Sequence, residues 1–194
     1  GTDNKLKNIE TIKTASGGSE VILTAQTEVM TITGDAGVDK ITGGEGVDTI
    51  DGAGGDDIIT IAAAGKGDSD VMDGGADADV LQLSTGKHTF ADNDKLKNIE
   101  TVKTASGGSE VILTAQKEAL TITGDAGVDK ITGGEGVDTI DGKGGDDIIT
   151  IAAAGKGDTD VMDGGADADV LQLSTGKHTF ADNDKLKNIE TVKT

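Results

Sequence analysis

The stretch "GDAGVDKITGGEGVDTIDGAGGDDIIT", residues 34–60, decides the fold. It places Gly and Asp at nearly fixed intervals and admits one reliably large apolar residue per nine: Ile41, Ile50 and Ile59. About three residues of extended chain suffice to aim one side chain inward. In "DKITG" and "DTIDG" the central Ile is that side chain. The other six residues must turn the chain, and Gly at the first and fourth positions permits backbone angles that a Cβ would forbid. Turn, short strand, turn, short strand makes one flattened coil. Successive coils stack about 4.8 Å apart through parallel backbone hydrogen bonds, with Ile, Met and Leu as a narrow ladder inside.

The same rule holds well beyond this stretch: Gly first, Gly or Asp fourth, Asp sixth, a large aliphatic eighth. It covers 34–42, 43–51 and 52–60, resumes after Ile61–Ala64 at 65–73 and 74–82, and returns over 124–150 and 155–172. The position-six aspartates therefore stack in columns along each edge, where like charges about 5 Å apart repel unless a cation lies between them. Calcium suits that gap, because it takes six to eight oxygens and accepts the carbonyls that glycine turns supply, whereas magnesium demands a small octahedral shell.

The ten nonads resemble the repeats-in-toxin (RTX, hemolysin-type) family, whose nonapeptide is G-G-x-G-x-D-x-U-x with U a large aliphatic. The resemblance implies an all-β fold, a right-handed parallel β-roll or β-solenoid with calcium held between stacked Gly/Asp turns, several ions per repeat unit. Carried over position by position, the ligands are Asp39, Asp48, Asp57, Asp70 and Asp79, with Asp129, Asp138, Asp147, Asp160 and Asp169. Asp68, Asp77, Asp158 and Asp167 replace Gly at position four, and two readings stay open for them: extra ligands, or residues that tolerate a left-handed turn. The insert "IAAA" at 61–64 breaks the nine-residue phase. It predicts a bulge or a longer strand there, a less secure pairing of Asp48 with Asp70 than of Asp39 with Asp57, and one site missing or remodelled.

A longer repeat encloses the nonads. "KLKNIETIKTASGGSEVILTAQ" at 5–26 returns at 95–116 with Val102 for Ile12, and "KLKNIETVKT" begins again at 185, a period of 95 − 5 = 90 residues. The chain divides into a leader at 1–4, units at 5–94 and 95–184, and the start of a third unit at 185–194, read as a strand closing the last coil. "NIETVKT", "SEVILTAQ" and "ALTITG" are rich in β-branched residues and read as further strands without metal turns; no segment has a helical pattern.

Composition narrows the function. Thirty-six acidic against 17 basic residues leave a net charge of −19, so nucleic acid and anionic membranes are poor partners. No apolar run approaches a membrane span of about 20 residues. Cys is absent, and two Phe are the only aromatic residues, so any core is thin. His88 and His178 read as surface or core-edge residues without an identifiable Ser or acidic partner. "DSDVMDGG" carries Met72 where an EF-hand loop needs a ligand, and the Gly-Lys pairs lack phosphate-loop spacing. A non-enzymatic role follows: a calcium-binding structural repeat of an extracellular bacterial surface protein such as an adhesin, surface-layer or filament protein. Like chains joined end to end or side by side are its expected partners besides calcium. The alternative is the secretion tail of an exported enzyme or toxin. The family resemblance implies type I export of the Gram-negative kind and folding once calcium is met outside the cell.

Overall fold

The computed structural model describes residues 6–153, 155–182 and 184–194; the leader at 1–4 lies outside them. Among the described residues there are twenty short parallel strands and one three-residue 3-10 helix, Asn93–Lys95. The nonad strands are triplets such as Lys40–Thr42, Thr49–Asp51 and Ile58–Thr60, each with a buried central Ile between more exposed neighbours. Short strands follow from the sequence, because one apolar residue per nonad leaves nothing further to bury. Each strand pairs in parallel with the strand one coil away, aligning Ile32 with Ile50 and Ile50 with Met72 on one side, and Ile41 with Ile59 and Ile59 with Leu81 on the other. These side chains are 0–1% exposed, and full burial of each contributes about 1.5–3 kcal/mol. The ladder thus carries the apolar share of the stability, as the nonad phase predicts.

The linking segment between nonad blocks continues the same solenoid. Strand Thr101–Lys103 pairs below with Val80–Gln82 and above with Thr121–Thr123, so the stack crosses the unit boundary without a break. Phe90, Leu96 and Ile99 fill the core there, each 0–2% exposed. Thr191–Lys193 pairs with Val170–Gln172, continuing the stack.

A nine-stranded sheet forms one side along the whole length, and a five-stranded and then a six-stranded sheet succeed one another along the other side. Between Val80–Gln82 and Thr101–Lys103 the chain makes two strands on that other side, Gly86–Thr89 and Leu96–Lys97. Gly86–Thr89 pairs upward with Ser109–Ile112, and Leu96–Lys97 pairs downward with Met72 and Asp73. The second unit is therefore turned by half a coil relative to the first. Lys40–Thr42 lies in the nine-stranded sheet, whereas its counterpart Lys130–Thr132 lies in the six-stranded one.

The glycines at positions one and four divide: Gly65 and Gly155 at position one and Gly55 and Gly145 at position four have left-handed backbone angles, as the sequence predicts. Gly34, Gly52, Gly37 and Gly46 do not have left-handed backbone angles. Their missing Cβ matters because the backbone of the adjacent coil occupies its place: a Cβ on Gly34 would meet the carbonyl of Gly52, and one on Gly46 that of Glu28. Left-handed angles also fall at position two, at Ala53 (φ 73), Gly75 (φ 104) and Lys143 (φ 75).

Candidate metal centre

The register that aligns the ladder also stacks the position-six aspartates into two columns, one along each edge. On one edge the N–H of Ser19 donates to Asp39 Oδ1 (2.6 Å), that of Asp39 to Asp57 Oδ1 (2.7 Å) and that of Asp57 to Asp79 Oδ1 (2.7 Å). The N–H of Asp79 then donates to Glu100 Oε2 at 2.8 Å. On the other edge Met30 donates to Asp48 and Asp48 to Asp70. The second unit repeats both runs through Asp129, Asp147, Asp169 and Glu190, and through Asp138 and Asp160. The half-coil turn moves each run to the opposite edge. All ten position-six aspartates are 0–2% exposed. Each of these buried carboxylates accepts a backbone N–H through Oδ1, and burial is costly for any charge left without a partner.

The second oxygen of each carboxylate separates the sites. Asp39 Oδ2 accepts from Asp35 N and the Thr14 hydroxyl, and Asp48 Oδ2 accepts from Gly44 N. The Oδ2 atoms of Asp57, Asp79, Asp147 and Asp169 are buried without any partner. A Cβ on Gly52 would collide with both Asp57 Oδ2 and the Gly74 carbonyl. The glycine thus keeps open a cradle walled by a carboxylate and a carbonyl oxygen, which a cation can bridge. Gly142, beside Asp147 Oδ2 and the Gly164 carbonyl, repeats it. Among the described residues no three His, Cys, Asp or Glu side chains converge as a metal-binding group. Calcium fits because the cradles pair a carboxylate with turn carbonyls, the mixed oxygen set that it accepts.

Burial pushes the Asp57, Asp70 and Asp160 carboxyls up to about 6 and that of Asp147 up to about 7, with neighbouring carboxylates adding to the effect. Donation from the backbone N–H one coil away offsets it only in part.

Several expectations need correcting. The Asp48 N–H to Asp70 Oδ1 bond, 2.8 Å, matches that from Asp39 to Asp57, so the pair across the insert is not weakened. The insert extends the strand, with Ile61 donating to the Gln82 carbonyl, then bulges through left-handed Gly65 and Gly67. What changes is the cradle. A Cβ on Gly43 would stand 3.4 Å from Asp48 Oδ2 and 3.5 Å from Asp70 Oδ2, so two carboxylates face each other where other cradles have a carboxylate and a carbonyl.

The position-four aspartates also divide. Asp77 and Asp167 adopt left-handed angles (φ 81 and 84), as one reading required. Asp68 and Asp158 do not, and they face histidines. Asp68 accepts from His88 Nδ1 at 2.9 Å and from Thr89 N at 2.8 Å. His88 is 0% exposed and places Nε2 3.1 Å from the Ser84 carbonyl and 3.3 Å from its hydroxyl. His88 is therefore buried and has both an acid and a serine nearby, contrary to the sequence reading. With Nδ1 against the Asp68 carboxylate and Nε2 against Ser84, the ring ties the linking segment to the nonad at 65–73. The sequence reading also missed Glu100 and Glu190, which end the aspartate columns. Their signal is positional: each precedes a Thr-Val-Lys strand as Asp79 precedes Val80–Gln82.

Four copies of the RTX calcium-binding nonapeptide repeat match the chain, over residues 31–59, 63–86, 121–149 and 154–176. The chain belongs to this family. No curated protein and no solved structure matches it. RTX repeats bind calcium, and this chain is a calcium-binding repeat region in the form of a parallel β-solenoid. No helix among the described residues is long and apolar enough to cross a membrane.

Proposed function

We propose that this RTX chain is a structural spacer of an extracellular bacterial surface protein, an adhesin, surface-layer or filament protein, that is exported unfolded and folds as calcium fills its turns. The observation that carries the reading is the set of buried, partnerless Oδ2 atoms of Asp57, Asp79, Asp147 and Asp169. A solenoid with these charges uncompensated is costly, so the chain's net charge of −19 favours the open state where calcium is scarce. Bound calcium supplies the positive charge that joins carboxylate and carbonyl across coils. Each site held at 100 times its dissociation constant adds about 2.7 kcal/mol to the folded state.

The uninterrupted stacking of one unit on the next supports a spacer role. The nine coils on the continuous side reach roughly 40 Å at a strand spacing of about 4.8 Å, and further units would lengthen the rod without new design. On this reading the chain has no catalytic role, and its partners are calcium and like repeats.

Far-ultraviolet circular dichroism of the metal-stripped chain, titrated with calcium and separately with magnesium, tests the proposal. A cooperative gain of β signal with calcium alone is expected. A complete fold in chelator would overturn the calcium-driven folding.

A further inference from the structure

The calcium cradles do not stop where the nonapeptide pattern stops. Leu96 and Lys97 lie in register with Met72 and Asp73, and the N–H of Gly74 donates to the Lys97 carbonyl at 3.0 Å. Asn98 therefore occupies the level above Gly74, the place of a position-one glycine. Thr101 lies in register with Val80, which sets Glu100 above Asp79, the place of a position-six aspartate. Six residues separate these roles inclusively in the nonad, Gly74 to Asp79, but only three in the linking segment, Asn98 to Glu100. The shortened turn is closed by Ile99, which is 1% exposed. Asn98 adopts a left-handed angle (φ 48), and Glu100 reaches the Asp79 N–H with one more methylene than aspartate has.

The oxygens are arranged as in the cradle below. A Cβ on Gly74 would collide with the Asn98 carbonyl and lie 2.5 Å from Asp79 Oδ2, just as one on Gly52 would meet the Gly74 carbonyl and Asp57 Oδ2. Asp79 is 1% exposed and its Oδ2 has no partner. The second unit repeats each element: Asp169 Oδ2 is partnerless, the Asn188 carbonyl faces Gly164, Asn188 has φ 46, and Glu190 Oε2 accepts from Asp169 N at 2.7 Å.

We infer that each unit holds a further calcium ion outside the nonapeptide pattern, between the Gly74–Asp79 turn and Asn98–Glu100, and again between Gly164–Asp169 and Asn188–Glu190. Asp79 and Asp169 supply a carboxylate oxygen, Asn98 and Asn188 a main-chain carbonyl, and Glu100 and Glu190 the second negative charge. The linking segment thereby completes the last site of each nonad block. The inference rests on the calcium reading above.

Native mass spectrometry of the calcium-loaded chain, counting bound ions, tests it with the double variant Glu100→Gln, Glu190→Gln. Glutamine keeps an oxygen for the Asp79 and Asp169 N–H groups and removes only the charge. Two fewer ions per chain are expected. An unchanged count would overturn this inference while leaving the calcium reading intact, whereas an unvaried chain that binds no calcium would overturn both. Should the double variant fail to fold, Glu190→Gln alone, on the exposed last coil, is expected to lose one ion, and loss of none would overturn the inference.

Discussion

Asp57 and Asp79 stand one coil apart, and the N–H of Asp57 donates to Asp79 Oδ1 at 2.7 Å while Oδ2 of both residues lies buried without a partner. One oxygen of each carboxylate thus serves the fold and the other waits for a cation. Asp57→Asn separates these roles. Its amide oxygen still accepts from Asp39 N, and its NH₂ can donate to the carbonyl of Gly74 that walls the cradle. Removing an unsatisfied buried group is worth about 1–3 kcal/mol. The variant should be more stable than the parent in chelator and less stable in saturating calcium, as read by thermal melts. Shifts of the same sign under both conditions would refute the division of labour.

Proton binding should imitate the metal in its absence. An unfolded Asp titrates near about 3.9, whereas Asp57, Asp70 and Asp160 titrate at about 6 in the fold and Asp147 at about 7, chiefly through burial. Between those values the folded state binds more protons than the unfolded state, so stability falls as pH rises. The contribution is complete below about pH 4 and lost by about pH 7. Denaturant midpoints in chelator should therefore be higher at pH 5 than at pH 7.5. In calcium the order should reverse, because protons then compete with the ion for the same oxygens.

Two neighbouring residues should respond oppositely to the exchange of glycine and alanine. Gly52→Ala drives a methyl group into the Gly74 carbonyl and Asp57 Oδ2, and because the obstacle is backbone the coils must part, at about 1–3 kcal/mol or more. Ala53 already sits at φ 73, a conformation that costs an L-residue about 1–2 kcal/mol. Ala53→Gly relieves it for a net gain of about 0.5–1 kcal/mol after glycine's added chain entropy. Chemical denaturation in calcium measures both, and a stabilising Gly52→Ala would remove the cradle from the account.

What could be read from the chain was what repeats with one period. The nine-residue phase identified Ile41, Ile59 and Leu81 as ladder and Asp39, Asp57 and Asp79 as a column, and the register confirms both. Glu100 escaped because Asn98–Glu100 performs in three residues what the nonad performs in six, so no fixed spacing marks it. Asp68 and His88 are 20 residues apart, and only the coil-to-coil offset around the insert brings them to 2.9 Å. The half-coil turn between units depends on Gly86–Thr89 and Leu96–Lys97 lying on the same side. That is a matter of which strand each one pairs with, and pairing partners leave no composition signal.

The two histidines offer a comparison within one molecule. His88 and His178 have the same partners at nearly the same distances, Asp68 at 2.9 Å and Asp158 at 2.8 Å. Their surroundings differ: His88 and its neighbour Phe90 are both 0% exposed under the coils of the second unit, whereas Phe180 beside His178 is only partly buried. Losing a donor leaves the facing carboxylate unsatisfied, and that costs about 1–3 kcal/mol where water cannot replace it. His88→Leu, which has no donor, should therefore lower the denaturation midpoint by an amount in that range, and His178→Leu by less, since His178 and Phe180 are partly exposed where His88 and Phe90 are not. Equal losses would mean that the histidine–aspartate contact itself, independent of burial, sets the cost. A negligible loss at His88 would mean that the linking segment is held by the ladder of Leu96, Ile99 and Val102 alone.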